Sequence, residues 1–237
     1  MYSKDKSVVL RGLCDTNKEA FFPKYVYDLE TTKEDEATRE RLGPRNTPRQ
    51  GRELGSRIDG ELTAVVDKKS APKVGWHPYV QRILKLLRQR GYRLLATQVP
   101  VGCIRARVYT AVDLVLEPIG GGGNGGVVLT EIKCREPDTL QREYKSAPYL
   151  QAPFACHLNN VFNHDQLQTG GAQLCFEETF PRVPVLASMV LYVHRAGIDS
   201  YPLKSWVLTD RDRVVRQWSA ARRNQKSRRR RVRGRRK

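Results

Sequence analysis

A chain of 237 residues with 43 Lys+Arg against 25 Asp+Glu carries a formal charge of +18. It is long enough for one domain with a substantial core, and its charge favours a polyanionic partner: DNA, RNA or an acidic membrane surface. Five scattered cysteines (Cys14, Cys103, Cys134, Cys156, Cys175) include no C-x-x-C pair, and no stretch has the apolar length of a signal core or a membrane span, which argues against a zinc ribbon, a disulfide framework, secretion and membrane insertion.

In chain order, residues 1–49 mix acidic clusters with the turn formers Gly43-Pro44 and Thr47-Pro48 and are expected to form a loosely structured lead-in. From Gln50 to Asp67, Leu54, Ile58, Leu62 and Val65 recur at helical spacing and predict an amphipathic helix. A second helix is expected over Pro78 to Arg90, with Val80, Ile83, Leu84 and Leu87 as its apolar stripe and Gly91 as its stop; His77 precedes it as a cap or surface residue.

The period then changes. Arg93 to Pro100 is expected as a strand, and Ile104 to Glu117 as a long one, its even positions forming an apolar face and its odd ones, with Arg105, Arg107, Tyr109 and Asp113, a polar face. The glycine loop PIGGGGNGG lacks a G-K-[ST] ending, so it is a hairpin tip rather than a phosphate-binding loop, and Val127 to Cys134 returns as the next strand. Asn163 to Phe176 is expected as a helix despite Gly170-Gly171. Strands over Val183 to His194 and Tyr201 to Leu208 follow, then a helix capped by Thr209 and Asp212. Residues 50–221 therefore predict one α/β (α+β) domain, a central mixed sheet with an antiparallel three-strand meander flanked by helices.

Residues 222–237 carry eleven basic side chains and no acidic one, densest at Arg228, Arg229, Arg230 and Arg231, and removing them lowers the charge from +18 to +7. Such a run reads as a disordered arm that condenses on phosphate, and as a nuclear address if the chain is eukaryotic; a plain solubilising tail is the bland alternative.

The chemistry centres on VLTEIKC, residues 128–134, where Glu131 and Lys133 interrupt a buried-looking strand. If Glu117 and Val127 pair across the glycine turn, Asp113 falls opposite Glu131 with Cβ atoms roughly 4.5–5.5 Å apart. Two such carboxylates repel unless a cation joins them, and a hard divalent ion, Mg²⁺ or Mn²⁺, suits oxygen donors. Lys133 shares their face and is placed to orient a water or neutralise charge at phosphorus, with Arg105 and Arg107 to hold phosphates. An E-x-K alone is a common solvated pattern; the register and the element order carry the argument.

Asp113 followed by Glu131-Ile132-Lys133 resembles the D…(D/E)-x-K signature of the PD-(D/E)XK nuclease superfamily, over about residues 50–208. The resemblance implies a restriction-endonuclease-like core and a Mg²⁺- or Mn²⁺-dependent nuclease acting on DNA, or on RNA. HDQLQTGGAQL resembles the Gln-bearing helix of the RecB and lambda-exonuclease branch. That implies a supporting role for Gln168 first, with Gln166 or Gln173 as alternatives, and exonucleolytic work in recombination, repair or replication. LGSRIDGEL brings Asp59 or Glu61 near the branch's further metal-ligand slot, and Val112 stands where the motif has proline. The competing readings are a non-catalytic nucleic-acid-binding protein acting through its basic tail, and an assembly protein that packages RNA. Tyr144 and Tyr149 are candidates to stack on bases; Cys156-His157, His164 and Cys175 match no regular zinc spacing.

Overall fold

The computed structural model describes residues 11–21, 48–69, 71, 75–120, 125–136, 140 and 149–221. Its elements are β1 (Arg11–Gly12), α1 (Leu13–Ala20), α2 (Pro48–Val66), α3 (Pro78–Gln89), β2 (Tyr92–Cys103), β3 (Val108–Pro118), β4 (Val127–Cys134), α4 (Val161–Thr179), β5 (Val185–His194) and β6 (Gly197–Pro202). A 3₁₀ turn (Ser205–Val207) and a helix α5 over 211–221 follow. The long strands stand in the order β2-β3-β4-β5-β6, and β1 adds two residues beside the start of β3. β2, β3 and β4 form an antiparallel meander, β4 and β5 run parallel around the α4 crossover, and β6 returns antiparallel.

Helices cover both faces. On one, α2 and α3 bury Ile58, Leu62, Val80, Ile83 and Leu87 against Leu114, Leu116, Val128 and Leu191. On the other, α1, α4 and α5 bury Leu13, Leu167, Phe176 and Trp218 against Val108, Val115 and Leu129. This double cover corrects the expected single apolar face of β3. Its even positions divide, Val108 and Val112 packing in one cluster and Leu114 and Leu116 in the other, so alternation breaks at Asp113.

The long strand expected from Ile104 is also corrected. Residues 104–107 form the turn between β2 and β3, with Arg107 at a positive φ of 55°. Nor are residues 11–21 loose: Leu13 and Phe21 are buried, and Trp218 Nε1 donates to Asn17 Oδ1 at 2.8 Å. The rest of the expected lead-in up to residue 47, like the basic tail and Tyr144, lies outside the described residues. At the C-terminal side, β6 ends at Pro202, and Asp210, rather than Thr209 or Asp212, accepts the Arg213 N–H at the start of α5 (3.2 Å).

Gly170 and Gly171 do not interrupt α4 because neighbours occupy the space a side chain would fill. A Cβ on Gly170 would overlap Val207, and one on Gly171 would lie 2.9 Å from Leu13 Cδ1 and 3.1 Å from Trp218 Cζ2. Replacing glycine by alanine in a helix normally gains up to about 1 kcal/mol. Here Gly170→Ala is expected to lose roughly 1–3 kcal/mol through overpacking, read as a lower urea midpoint.

Candidate active site

The β3–β4 ladder pairs Leu116 with Val128, Val115 with Leu129 and Leu114 with Thr130. The paired ladder ends there; continued by one step, its register sets Asp113 against Glu131, and the Asp113 carboxylate accepts Ile132 N–H of that strand at Oδ2, 2.8 Å. From the other flank Gln98 Nε2 donates to Asp113 Oδ1 at 3.0 Å.

Glu131 and Lys133, two apart on β4, point to the face covered by α4. Lys133 Nζ donates to Glu131 Oε1 at 2.7 Å and to Gln168 Oε1 at 3.0 Å, and Gln168 Nε2 donates to Glu131 Oε1 at 2.6 Å. The three close a triangle in which Glu131 is 4% exposed. The other two glutamines are engaged elsewhere: Gln166 Oε1 accepts Lys204 N–H, and Gln173 bonds Glu177 and Ser188. Farther along the same face Arg135 meets the buried Asp165, Nε to Oδ2 at 3.0 Å and Nη2 to Oδ1 at 3.1 Å, and Tyr192 Oη donates to Asp165 Oδ2 at 3.2 Å.

α2 supplies the remaining acid, and only one of its two candidates reaches the group. Asp59 feels the charges of Asp113 and Lys133. Glu61 accepts His77 N–H at 2.5 Å and Arg57 Nε–H at 2.9 Å, fastening the start of α3, where His77 Nδ1 in turn caps Tyr79 N–H. Positions two apart on a helix lie about 200° around its axis, so Asp59 and Glu61 cannot share a face. Although burial works the other way, those donors hold the Glu61 carboxyl below its usual range.

Electrostatics bind the group together. Burial, with Asp113 and Asp165 adding to it against the pull of Lys133, pushes the Glu131 carboxyl up to about 7. Burial and then Asp113 push Asp59 up to about 6. Burial opposes the charge of Lys133, but Glu131, Asp165 and Asp113 outweigh it and raise its pKa, so the ammonium stays protonated.

The structure thus brings together Asp59, Asp113, Glu131, Lys133 and Gln168. It does not bring Arg105 or Arg107. Both lie in the turn before β3, Arg107 six residues from Asp113 or roughly 20 Å along a strand, and Arg105 is paired with Glu178 (3.4 Å) and Asp212 (3.7 Å). Tyr149 is exposed, bridged to Leu158, and His157 stacks on Trp206 with ring centroids 3.9 Å apart. Gln98, Asp165 and Arg135 belong to the neighbourhood without having been singled out by sequence. Arg135 alone carried a signal, continuing the Glu131, Lys133 alternation on one face.

Among the described residues no group of three or more His, Cys, Asp or Glu side chains is placed, as it stands, to hold a metal ion. The donor chemistry nevertheless fits a hard divalent ion. The acids that meet here offer oxygen alone, both bonds accepted by Glu131 fall on Oε1, and the crowding that raises Asp59 and Glu131 is what a cation relieves. Compared with known proteins, the chain matches no family model and no curated protein.

The raised carboxyls have a defined sign in stability. Their folded-state pKa values, about 6 for Asp59 and about 7 for Glu131, exceed the ordinary 3.8 and 4.5, so the protonated forms favour the fold. That contribution is full below the ordinary values and is lost as pH rises through the folded ones. Without divalent ions, the denaturant midpoint is expected to fall more steeply between about pH 4 and about pH 8 in the wild type than in Asp59→Asn or Glu131→Gln; equal slopes would remove the assigned crowding.

Proposed function

We propose that this chain is a metal-dependent nuclease of the PD-(D/E)XK type, hydrolysing phosphodiester bonds of DNA on a restriction-endonuclease-like core. The observation that carries the reading is the Lys133 ammonium, held between Glu131 and Gln168 beside Asp113 across the hairpin. The element order supports it: two helices, an antiparallel meander, a crossover helix and a strand parallel to β4.

Asp113 and Glu131 are the residues to hold the ion, with Asp59 as a further oxygen donor. Bound there, a Mg²⁺ or Mn²⁺ supplies Lewis acidity, lowering the pKa of water and offsetting negative charge on phosphate. Lys133 acts as a donor rather than a base, because its neighbours keep it charged. It orients the attacking water and stabilises the charge that develops on the phosphate oxygens. Gln168 fixes that ammonium, accepting from it through Oε1 while Nε2 restrains Glu131. Affinity for the strand comes from the Arg-rich tail, since Arg105 is tied up in ion pairs at the far turn. An exonuclease in recombination, repair or replication is the closer reading, carried by Gln168 on the helix after β4.

The test is degradation of linear and circular, single- and double-stranded DNA, and of RNA, with Mg²⁺ or Mn²⁺. Wild type is expected to cleave DNA, and Lys133→Ala and Asp113→Asn to lose roughly 10²-fold or more in rate. No cleavage of any substrate, or equal cleavage by the variants, would sink the nuclease. The tail itself favours a second reading, nucleic-acid binding without catalysis, which tail-dependent binding with no cleavage would support. Truncation after Ala221 is expected to weaken binding and flatten its salt dependence by roughly 0.7–0.9 logarithmic units for each phosphate the arm no longer neutralises, with cleavage chemistry retained at high enzyme concentration.

A further inference from the structure

Gln98 occupies an unusual place. β2 pairs Thr97 with Leu114 and Val99 with Val112, so Gln98 stands opposite Asp113. Its φ is 49°, the left-handed region that side chains other than glycine rarely adopt. The other described non-glycine residues with positive φ, Lys68 and Arg107, lie in turns; Gln98 alone lies within a strand. A strained backbone inside a regular element persists where the surrounding structure requires it.

What it achieves is visible on Asp113. Each oxygen of that carboxylate receives one donor, Oδ1 from Gln98 Nε2 at 3.0 Å and Oδ2 from Ile132 N–H at 2.8 Å. The two bonds, from the strands on either side, fix the carboxylate plane. The preceding residue reaches the helix that carries the opposing acid: Thr97 Oγ1 and Thr63 Oγ1 lie 2.8 Å apart, and Thr63 Oγ1 donates to the backbone carbonyl of Asp59 at 2.8 Å. The dipeptide Thr97-Gln98 therefore holds the helix that carries Asp59 and the side chain of Asp113 from a single point on β2.

We propose that Gln98 is a positioning residue for the cation site of the proposed nuclease, fixing the Asp113 carboxylate so that its remaining lone pairs face the space shared with Asp59 and Glu131. The inference rests on the metal-dependent reading above. A carboxylate clamped on both oxygens presents a rigid ligand, and rigid oxygen sites favour small ions with strict geometry, Mg²⁺ and Mn²⁺, over Ca²⁺.

The experiment compares Mn²⁺ and Ca²⁺ binding by titration calorimetry to the full chain carrying Gln98 or Gln98→Gly, with denaturant unfolding of both. Glycine accepts the left-handed backbone, so the variant removes the amide while relieving strain. Expected is a denaturant midpoint equal to or above wild type, together with a roughly 10- to 100-fold loss of Mn²⁺ affinity and a smaller loss for Ca²⁺. Unchanged Mn²⁺ affinity in the variant, or equal losses for both ions, overturns the role of Gln98 and leaves the nuclease standing. Absence of Mn²⁺ binding to the wild type overturns the metal-dependent reading and the role of Gln98 with it.

Discussion

An ammonium taken out of water must be met on nearly every side, and Lys133 sets that demand at the centre of this fold. Removing an ion from solvent costs several kcal/mol even after relaxation, and attraction offsets it only when the geometry is good and the remaining hydrogen bonds are made. Glu131 Oε1 at 2.7 Å and Gln168 Oε1 at 3.0 Å meet it here, with Asp165 adding its field from one turn earlier on α4. β4 and α4 are consequently held at one separation. That separation rests on Gly170 and Gly171, which let Val207, Leu13 and Trp218 close on the back of α4. Segments far from the chemistry, α1 and α5 among them, thereby support the position of one lysine.

The acids obey a complementary constraint. Asp59, Asp113 and Glu131 arrive from α2, β3 and β4 and converge on a single cation of the protein, Lys133. Asp165 adds its charge to Glu131 and Lys133 from α4, and Arg135 pairs with it directly. The surplus appears as carboxyls displaced upward in pKa, a cost the fold sustains at one place. Sites where a protein accepts such a cost without a structural gain are where function is sought first.

Much of this was legible in sequence because it depends on period and register. Alternation along β4 puts Glu131 and Lys133 on one face, and the register expected across the glycine loop is the one β3 and β4 adopt, Leu114 with Thr130 next to Asp113 and Glu131. Spacing left Gln166, Gln168 and Gln173 open; the resemblance put Gln168 first, and it is Gln168 that meets Lys133 and Glu131. What escaped depends on backbone events without a residue signature. The turn at 104–107 contains neither glycine nor proline, so the alternation was carried through it and Arg105 and Arg107 were set on the wrong stretch. Gln98 adopts a glycine-like φ with no glycine to announce it. Asp165 looked like one more polar residue in HDQLQTGG, and α1 is too short and too polar in composition to show that Leu13 and Phe21 reach the core.

The charge of the chain divides along the same lines. Six arginines of the described residues are committed in pairs: Arg57 to Glu61, Arg93 to Glu117, Arg105 to Glu178, Arg135 to Asp165, Arg195 to Glu136 and Arg211 to Glu177. The exposed ones among them, such as Arg93–Glu117, add little stability, but each pair cancels field locally. Eleven basic residues without an acidic neighbour stand instead in 222–237. A carboxylate-lined site repels a phosphodiester until a cation is bound, whereas an arginine arm attracts it at any time. In the proposed nuclease, attraction and chemistry are therefore separable physically, salt acting on the arm through counterion release and divalent ions and pH acting on the Asp59, Asp113 and Glu131 cluster.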